Sequence, residues 1–326
     1  MKAILHERYG RPDVLELHEV ERPVPGDDQV LVRVHASSVN PVEWYGVTGP
    51  YFGRIGNGLR RPKDPTVGAD LAGRVEAVGR EVTAFRPGDE VFGVSGGSWA
   101  EYACASPARL ALKPGDLSFE EAAAVPVAGV TALQALRDKG RVEAGQKVLI
   151  NGASGGVGTF AVQIAKSLGA DVTGVCSTRN VELVRSLGAD RVIDYTQEDF
   201  TRTGERHDLM LDIAGSRSFL EFRRVLAPGA TVVLVGGRMT YRGLGPLPHL
   251  LGTSLKSRGR GQKVTFFVAK ITTEDLAALG ELLEAGEVKP AIDRTYELSE
   301  APEALAYLGE GHARAKIVIA VSRPPG

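Results

Sequence analysis

Lys147-Val148-Leu149-Ile150-Asn151-Gly152-Ala153-Ser154-Gly155-Gly156-Val157-Gly158 is the stretch whose reading decides the fold. Val148 to Ile150 is an apolar run of strand length. Glycines at 152, 155, 156 and 158 follow, and Val157, Ala161, Ile164, Ala165 and Leu168 then recur at helical spacing. A strand that turns at once into a helix needs glycine, which takes the turn's backbone angles and lets the helix lie close to the sheet. The helix then offers free N–H groups and the positive end of its dipole, a seat for a phosphate. The candidate phosphate contacts are Gly152, Ser154, Gly155, Gly156 and Val157. The spacing Gly152-x-x-Gly155-x-x-Gly158 departs from the common Gly-x-Gly-x-x-Gly.

Outward from this stretch, strands and helices alternate. Residues 171–176 read as a strand and 181–187 as a helix, with further strands at 191–193, 208–213 and 230–235. Such alternation builds βαβ units into a doubly wound parallel sheet, an α/β fold. Ser167-Leu168-Gly169-Ala170-Asp171 recurs as Ser186-Leu187-Gly188-Ala189-Asp190, two glycine-capped helix ends that each lead into a strand. Upstream, the alanine-rich residues 120–135 are expected to form one helix. Residues before 120 carry short apolar runs broken by turns such as Pro25-Gly26-Asp27 and Pro87-Gly88-Asp89, so they read as mainly β. Toward the end come a strand at 264–268, a helix at 273–285, a strand near 289–292, a helix at 299–308 and a strand at 316–321. The last ~35 residues are expected to rejoin the N-terminal β region.

The second strand of the α/β part speaks to the cofactor. A site for NAD usually has an acid there, about 20 residues on, to accept the ribose hydroxyls. Here the chain reads Val175-Cys176-Ser177-Thr178-Arg179-Asn180, without one. Ser177 can donate to a phosphate and Arg179 can pair with it, so NADPH is expected rather than NADH.

Composition excludes several other classes. Of 326 residues, 40 are glycine, well above the usual share, and they lack collagen's three-residue period. Lys and Arg total 39 against 40 Asp and Glu, a formal net charge of -1, which argues against neutralising many phosphates of a nucleic acid. Two cysteines, Cys104 and Cys176, cannot build a disulfide framework or a four-cysteine zinc site. No apolar run reaches the about 18 residues of a membrane span, and the opening MKAILHERYG reads as the start of a strand. A cytoplasmic setting is the expectation. The basic stretch Lys256-Ser257-Arg258-Gly259-Arg260-Gly261-Gln262-Lys263 reads as a solvated loop, with a nucleic-acid or membrane contact as the other reading.

Taken in order, further stretches carry a resemblance. They are Gly68-Ala69-Asp70-Leu71-Ala72-Gly73-Arg74-Val75, Phe85-Arg86-Pro87-Gly88-Asp89-Glu90-Val91-Phe92-Gly93, Trp99-Ala100-Glu101-Tyr102, Val125-Pro126-Val127-Ala128-Gly129-Val130-Thr131-Ala132, Val192-Ile193-Asp194-Tyr195 and Gly311-His312-Ala313-Arg314-Ala315-Lys316-Ile317-Val318. With the glycine turn, they make the whole chain resemble the zinc-free quinone oxidoreductases of the medium-chain dehydrogenase/reductase superfamily, the zeta-crystallin group, and within it the reticulon-interacting oxidoreductases. The resemblance implies a GroES-like domain over 1–122 and 288–326, a Rossmann domain over 123–287, and a cofactor between them. It places Asn40 and Thr131 near the nicotinamide, Ser177 and Tyr195 at the 2′-phosphate, and Gly236, Gly237, Phe267 and Val268 along the nicotinamide, with Lys316, in the returning strand, also a cofactor contact. It also implies a homodimer.

Zinc members of that superfamily carry a cysteine, a Gly-His-Glu and a later cysteine or acid. Here the first segment is Asn40-Pro41-Val42-Glu43-Trp44 and the second is Gly68-Ala69-Asp70, so no metal is expected. Without a Lewis acid, catalysis rests on positioning and hydrogen bonds, which suits quinones, enones and enals. The candidate pocket comprises Asn40, Trp44, Tyr45, Tyr51 and Phe52, with Thr131 opposite; Tyr45 or Tyr51 is the candidate proton donor. The expected activity is NADPH-dependent reduction of a quinone or α,β-unsaturated carbonyl. A zinc-independent alcohol dehydrogenase and a non-catalytic NADPH-binding scaffold are the alternatives.

Overall fold

Val148 and Ile150 are buried in one hydrophobic cluster and Leu149 in another, on opposite sides of their strand. Burial on both faces is what a parallel sheet covered by helices requires. The structure is a computed structural model that describes residues 1–49, 54, 57–237, 249, 251–253, 255, 261–311 and 313–322.

β1 (Lys2–Leu5) and β2 (Glu16–Glu19) form an antiparallel pair. β3 (Val30–Val39) leads into α1 (Pro41–Thr48), and β4 (Asp70–Val78), β5 (Glu90–Val94), β6 (Tyr102–Ala105) and β7 (Leu110–Leu112) follow. They make a mainly antiparallel sheet in which β3 pairs with both β4 and β6. Next come α2 (Phe119–Ala123) and α3 (Pro126–Leu133). The alanine-rich stretch is thus two helices and not one. Pro126 has no N–H to continue α2, and its fixed φ instead opens α3. Wide π-helical turns over Gln134–Gly140 close this connection.

The α/β half comprises β8 (Lys147–Asn151), α4 (Gly156–Ser167), β9 (Asp171–Cys176), α5 (Val181–Ser186), β10 (Arg191–Asp194), β11 (His207–Asp212), α6 (Phe219–Phe222), β12 (Leu226–Leu234), β13 (Lys263–Phe266) and α7 (Thr273–Glu284). Its six strands are parallel in the order β10-β9-β8-β11-β12-β13. The order reverses between β8 and β11, so the crevice for a ligand opens at the carboxyl ends of those two strands. β14 (Ile292–Glu297), α8 (Ala301–Gly309) and β15 (Lys316–Ala320) complete the chain, and β15 returns to pair antiparallel with β3. The strand expected near 289–292 starts only at Ile292. Pro290 cannot donate to a ladder, and Lys289 is tied to α4, its N–H donating to Gln163 Oε1 at 2.9 Å and its carbonyl accepting from Nε2 at 3.0 Å.

The two sheets share a core. Ala36, Ala72, Phe92 and Val318 of the first pack in one cluster with Val148 and Ile150 of the second and Ala161 of α4. His35 stacks on Phe119 with ring centroids 4.3 Å apart, which joins β3 to α2. Cys176 is buried at the end of β9, where burial pushes its thiol up to about 11.

Candidate functional site

The turn after β8 is built from backbone. Gly152 sits at φ 96°, a left-handed angle that favours glycine. Its N–H and that of Ala153 both donate to Val175 O at the end of β9, at 3.2 and 3.0 Å. Gly158 presses against the same turn, since a Cβ there would lie 2.1 Å from Gly152 O. Gly155 differs. It is the N-cap of α4 in extended backbone, its position carries no side-chain cap, and a Cβ would meet only Gly152 O at 3.6 Å. Open space therefore lies before the positive end of a helix of 12 residues. A nucleotide phosphate fits this cradle.

Beside the cradle, Ser154 and Ser177 are joined by a residue the sequence reading passed over. Asn180 is buried and donates its Nδ2 to Ser154 Oγ at 3.0 Å and to Ser177 Oγ at 3.2 Å; its Oδ1 has no partner among the described residues. Arg179 belongs to the same short turn, and Arg314 Nη1 donates to the Arg179 carbonyl at 3.3 Å. The structure thus adds a second arginine to this end of β9. Tyr195 follows β10, its N–H donating to Cys176 O at 3.0 Å and its side chain 54% exposed. The nearby acid, Asp194, has both carboxylate oxygens engaged by Thr178, Thr196 and Gln197. The Thr178 hydroxyl, first among these, holds the Asp194 carboxyl below the usual range.

Next to the turn lies a buried polar cluster drawn from β3, the start of α1, β4 and β15. Asp70 is fully buried; its Oδ2 accepts from Ser38 Oγ at 2.5 Å and Asn40 Nδ2 at 2.9 Å, and its Oδ1 from the N–H of Val127 in α3 at 2.9 Å. Lys316, 2% exposed, places its Nζ 2.5 Å from Asn40 Oδ1 and 3.5 Å from Asp70 Oδ2. Glu43 completes the cluster, with Oε2 accepting the Asn40 N–H at 2.7 Å and Oε1 without a partner among the described residues. Burial, then the negative charge of Asp70, pushes the Glu43 carboxyl up to about 8, so it is neutral at pH 7. Burial lowers the Lys316 ammonium, and Asp70 opposes that. Asp70 and Glu43 were not picked out as site residues from the sequence. Asp70 was visible only as a departure from Gly-His-Glu, and Glu43 lay inside a quoted segment.

The remaining candidates fall in several places. Thr131 lies on α3 and donates its hydroxyl to Val127 O at 2.6 Å, one turn from the N–H that Asp70 accepts. Gly236 comes so close to the end of β11 that a Cβ would lie 2.7 Å from Ile213 O, and Gly237 follows it, half-buried. Phe267 packs half-buried against the main core, whereas Val268 is 89% exposed. Tyr45 is half-buried against the cluster around Trp44, and burial raises its phenol. Trp44 does not line a pocket. It is fully buried against α8, where a Cβ on Gly309 would lie 1.9 Å from its ring. Tyr51, Phe52, His312 and residues 256–260 of the basic stretch lie outside the described residues. At the crevice itself, Asp212 accepts from Asn151 Nδ2 at 2.7 Å and contacts His249 Nε2 at 2.8 Å, a pair that separation in sequence concealed.

Comparison with known proteins follows this geometry. The chain matches the alcohol dehydrogenase GroES-like domain over residues 26–115 and the zinc-binding dehydrogenase family over residues 187–319. It is 34% identical to quinone-oxidoreductase QR1 of Triphysaria versicolor chloroplasts, covering 98% of both chains. It is also 34% identical to the 2-methylene-furan-3-one reductase of Solanum lycopersicum, covering 98% of this chain and 79% of that one. The human mitochondrial NAD(P)H oxidoreductase RTN4IP1 is likewise 34% identical, with 98% and 89% covered. Among solved structures, the quinone oxidoreductase from Coxiella burnetii superposes with a TM-score of 0.87 at 31% identity over 99% of each chain. The zinc in the second family's description does not fit the residues here. Zinc takes thiolate, imidazole and carboxylate ligands, but Asn40, Ala69 and Asp70 supply one carboxylate, and Lys316 already brings a cation beside it.

Proposed function

The chain belongs to the medium-chain dehydrogenase/reductase superfamily as a quinone oxidoreductase-like oxidoreductase, and on that premise we propose that it reduces quinones or α,β-unsaturated carbonyls with NADPH and without zinc. The observation that carries the proposal is the open cradle at Gly155 beside the Ser154–Asn180–Ser177 chain and two arginines. When bound, NADPH supplies the hydride, and the conjugated acceptor takes the charge onto its oxygen. The chain's own residues bind and orient. The first N–H groups of α4 and the α4 dipole would face the pyrophosphate, since those of Gly152, Ala153 and Gly155 are taken by backbone carbonyls. Ser177 and Arg179 would hold the 2′-phosphate, with Arg314, itself paired with Asp293 at 3.9 Å, beside them. Asn180 holds the two serines at a fixed spacing. Thr131 keeps its hydroxyl proton on Val127 O and so presents an acceptor. Water supplies the proton, or Tyr45, whose raised phenol keeps its own at neutral pH.

A homodimer belongs to the same proposal. β13 is the edge strand of the parallel sheet, and Phe266 at 52% and Val268 at 89% exposure stand on it and just beyond it. The test of function mixes the protein with NADPH or NADH and a quinone, an enone or an aldehyde, with and without chelator. Oxidation of NADPH by the quinone or enone, unchanged by chelator, is expected. Chelator-sensitive turnover of the aldehyde alone would overturn the proposal, and no oxidation with any acceptor would leave a nucleotide-binding scaffold.

A further inference from the structure

Resting on the reading of the chain as an NADPH-dependent reductase, we propose that Lys316 is a positioning residue whose ammonium fixes the Asn40 carboxamide and so sets the wall of the cleft facing the dinucleotide turn. A buried lysine is expensive unless paired. Pairing alone would put its shortest contact on a carboxylate, yet the ion pair with Asp70 Oδ2 spans 3.5 Å and the shorter contact is Asn40 Oδ1 at 2.5 Å. A carboxamide has one accepting end and one donating end, and an ammonium can only donate. Lys316 therefore dictates which end of Asn40 faces it. The other end is turned to Asp70 Oδ2 at 2.9 Å, with Ser38 Oγ at 3.4 Å. Asn40 is left with neither end free, so its role is to shape the wall and not to donate to substrate.

The same segment grips the cofactor seat. The Ala315 N–H donates to Ser154 O at 2.7 Å, and Ala315 bridges to Gly155. The Lys316 stem lies where a Cβ on Gly156 would meet it at 3.0 Å. Ala315 holds φ 53°, an unfavourable angle for alanine that persists only where its surroundings fix it. Asp70 in turn receives the N–H of Val127, one turn before Thr131. Two consecutive residues, Ala315 and Lys316, thus connect the phosphate turn to the buried cluster around Asp70.

Lys316→Met and Lys316→Gln test this, because both remove the charge and only Gln keeps an N–H donor. Nitrogen-15 labelling of asparagine reads the Asn40 amide without cofactor or substrate, assigned by its loss in Asn40→Asp. The wild-type chain and Lys316→Gln are expected to show two separate, slowly exchanging Asn40 amide protons, and Lys316→Met to lose that protection. With NADPH and a quinone, kcat is expected to fall about 10²-fold in Lys316→Met and about tenfold in Lys316→Gln at similar melting temperatures. If uncompensated Asp70 unfolds Lys316→Met, the same substitution is read in an Asp70→Asn background against Asp70→Asn alone. Unchanged Asn40 signals in the Met variant, or a kcat that merely tracks melting temperature, overturns the proposal. If the wild-type chain fails to oxidise NADPH with any of the acceptors, the reductase reading falls while the amide signals still decide the role of Lys316.

Discussion

The dinucleotide turn and the buried cluster around Asp70 meet at Ala315 and Lys316, but they are made in opposite ways. The turn is backbone, drawn from seven consecutive residues between Gly152 and Gly158, and its shape depends on missing side chains. The cluster is side chains, with Asn40 and Asp70 separated by 30 residues and Asn40 and Lys316 by 276. A site made from backbone is broken by adding atoms, and a site made from buried charges by removing them.

Within the turn, two glycines should fail differently. Gly158→Ala is expected to have the largest effect of all, because its Cβ would sit 2.1 Å from a backbone oxygen that cannot swing aside. A stability loss of roughly 3 kcal/mol is expected, read as a lowered melting temperature without any ligand. Gly155→Asp should do the reverse. The space is open and the position is an N-cap, so the carboxylate is expected to cap α4 and stabilise the free protein by about 0.5 kcal/mol. The same carboxylate takes the N–H groups meant for phosphate and repels it. Affinity for NADPH, measured by titration, should fall about 10²-fold or ~2.7 kcal/mol. Loss of stability and affinity together in Gly155→Asp would contradict the open cradle.

The contrast also explains what could be read in advance. The turn, α4 and the parallel sheet were legible because strand, glycines and helix are contiguous and their periodicity is local. The return of the last residues to the first sheet was expected from the run of elements, but not the antiparallel pairing of β15 with β3, because a ladder between strands so far apart in sequence leaves no local signal. Trp44 was misread as pocket lining because an aromatic after a proline turn looks the same in sequence whether it meets substrate or Gly309 of α8. Asn180 stood in plain view beside Arg179, but nothing in a serine-threonine-arginine-asparagine run says which side chain turns inward. The partners of Lys316 were hidden for a different reason. Lysine is seldom buried, and only the tertiary fold reveals the carboxylate and carboxamide that accept it.

At the far end of the nucleotide site the expected effect is smaller. Arg179→Ala should weaken NADPH about tenfold, or ~1.4 kcal/mol, and leave NADH nearly unchanged, because only the 2′-phosphate distinguishes them. Titration of both nucleotides checks this. Equal losses would place Arg179 away from the phosphate. Arg314, which reaches the Arg179 carbonyl but is paired with Asp293 at 3.9 Å, should soften the loss only in part.

The smallest effect concerns the cluster and shows itself only through pH. The Glu43 carboxyl is raised in the folded chain to about 8, by burial first and then by Asp70. A group whose pKa is higher folded than unfolded stabilises fully below its unfolded value, and that contribution is lost as pH climbs through the folded value. Stability should therefore decline from about pH 4.5 to about pH 8 on account of Glu43. The lowered Lys316 acts oppositely, toward the alkaline end. Glu43→Gln keeps an oxygen for the Asn40 N–H and removes the titration. Its melting temperature is expected to fall less than that of the wild-type chain between pH 6 and 8. The difference should be on the order of 1 kcal/mol, since Asp70 and Lys316 share the response. Parallel pH profiles for the two proteins would mean that Glu43 is already ionised in the fold, and the buried cluster would then carry two carboxylates against one ammonium.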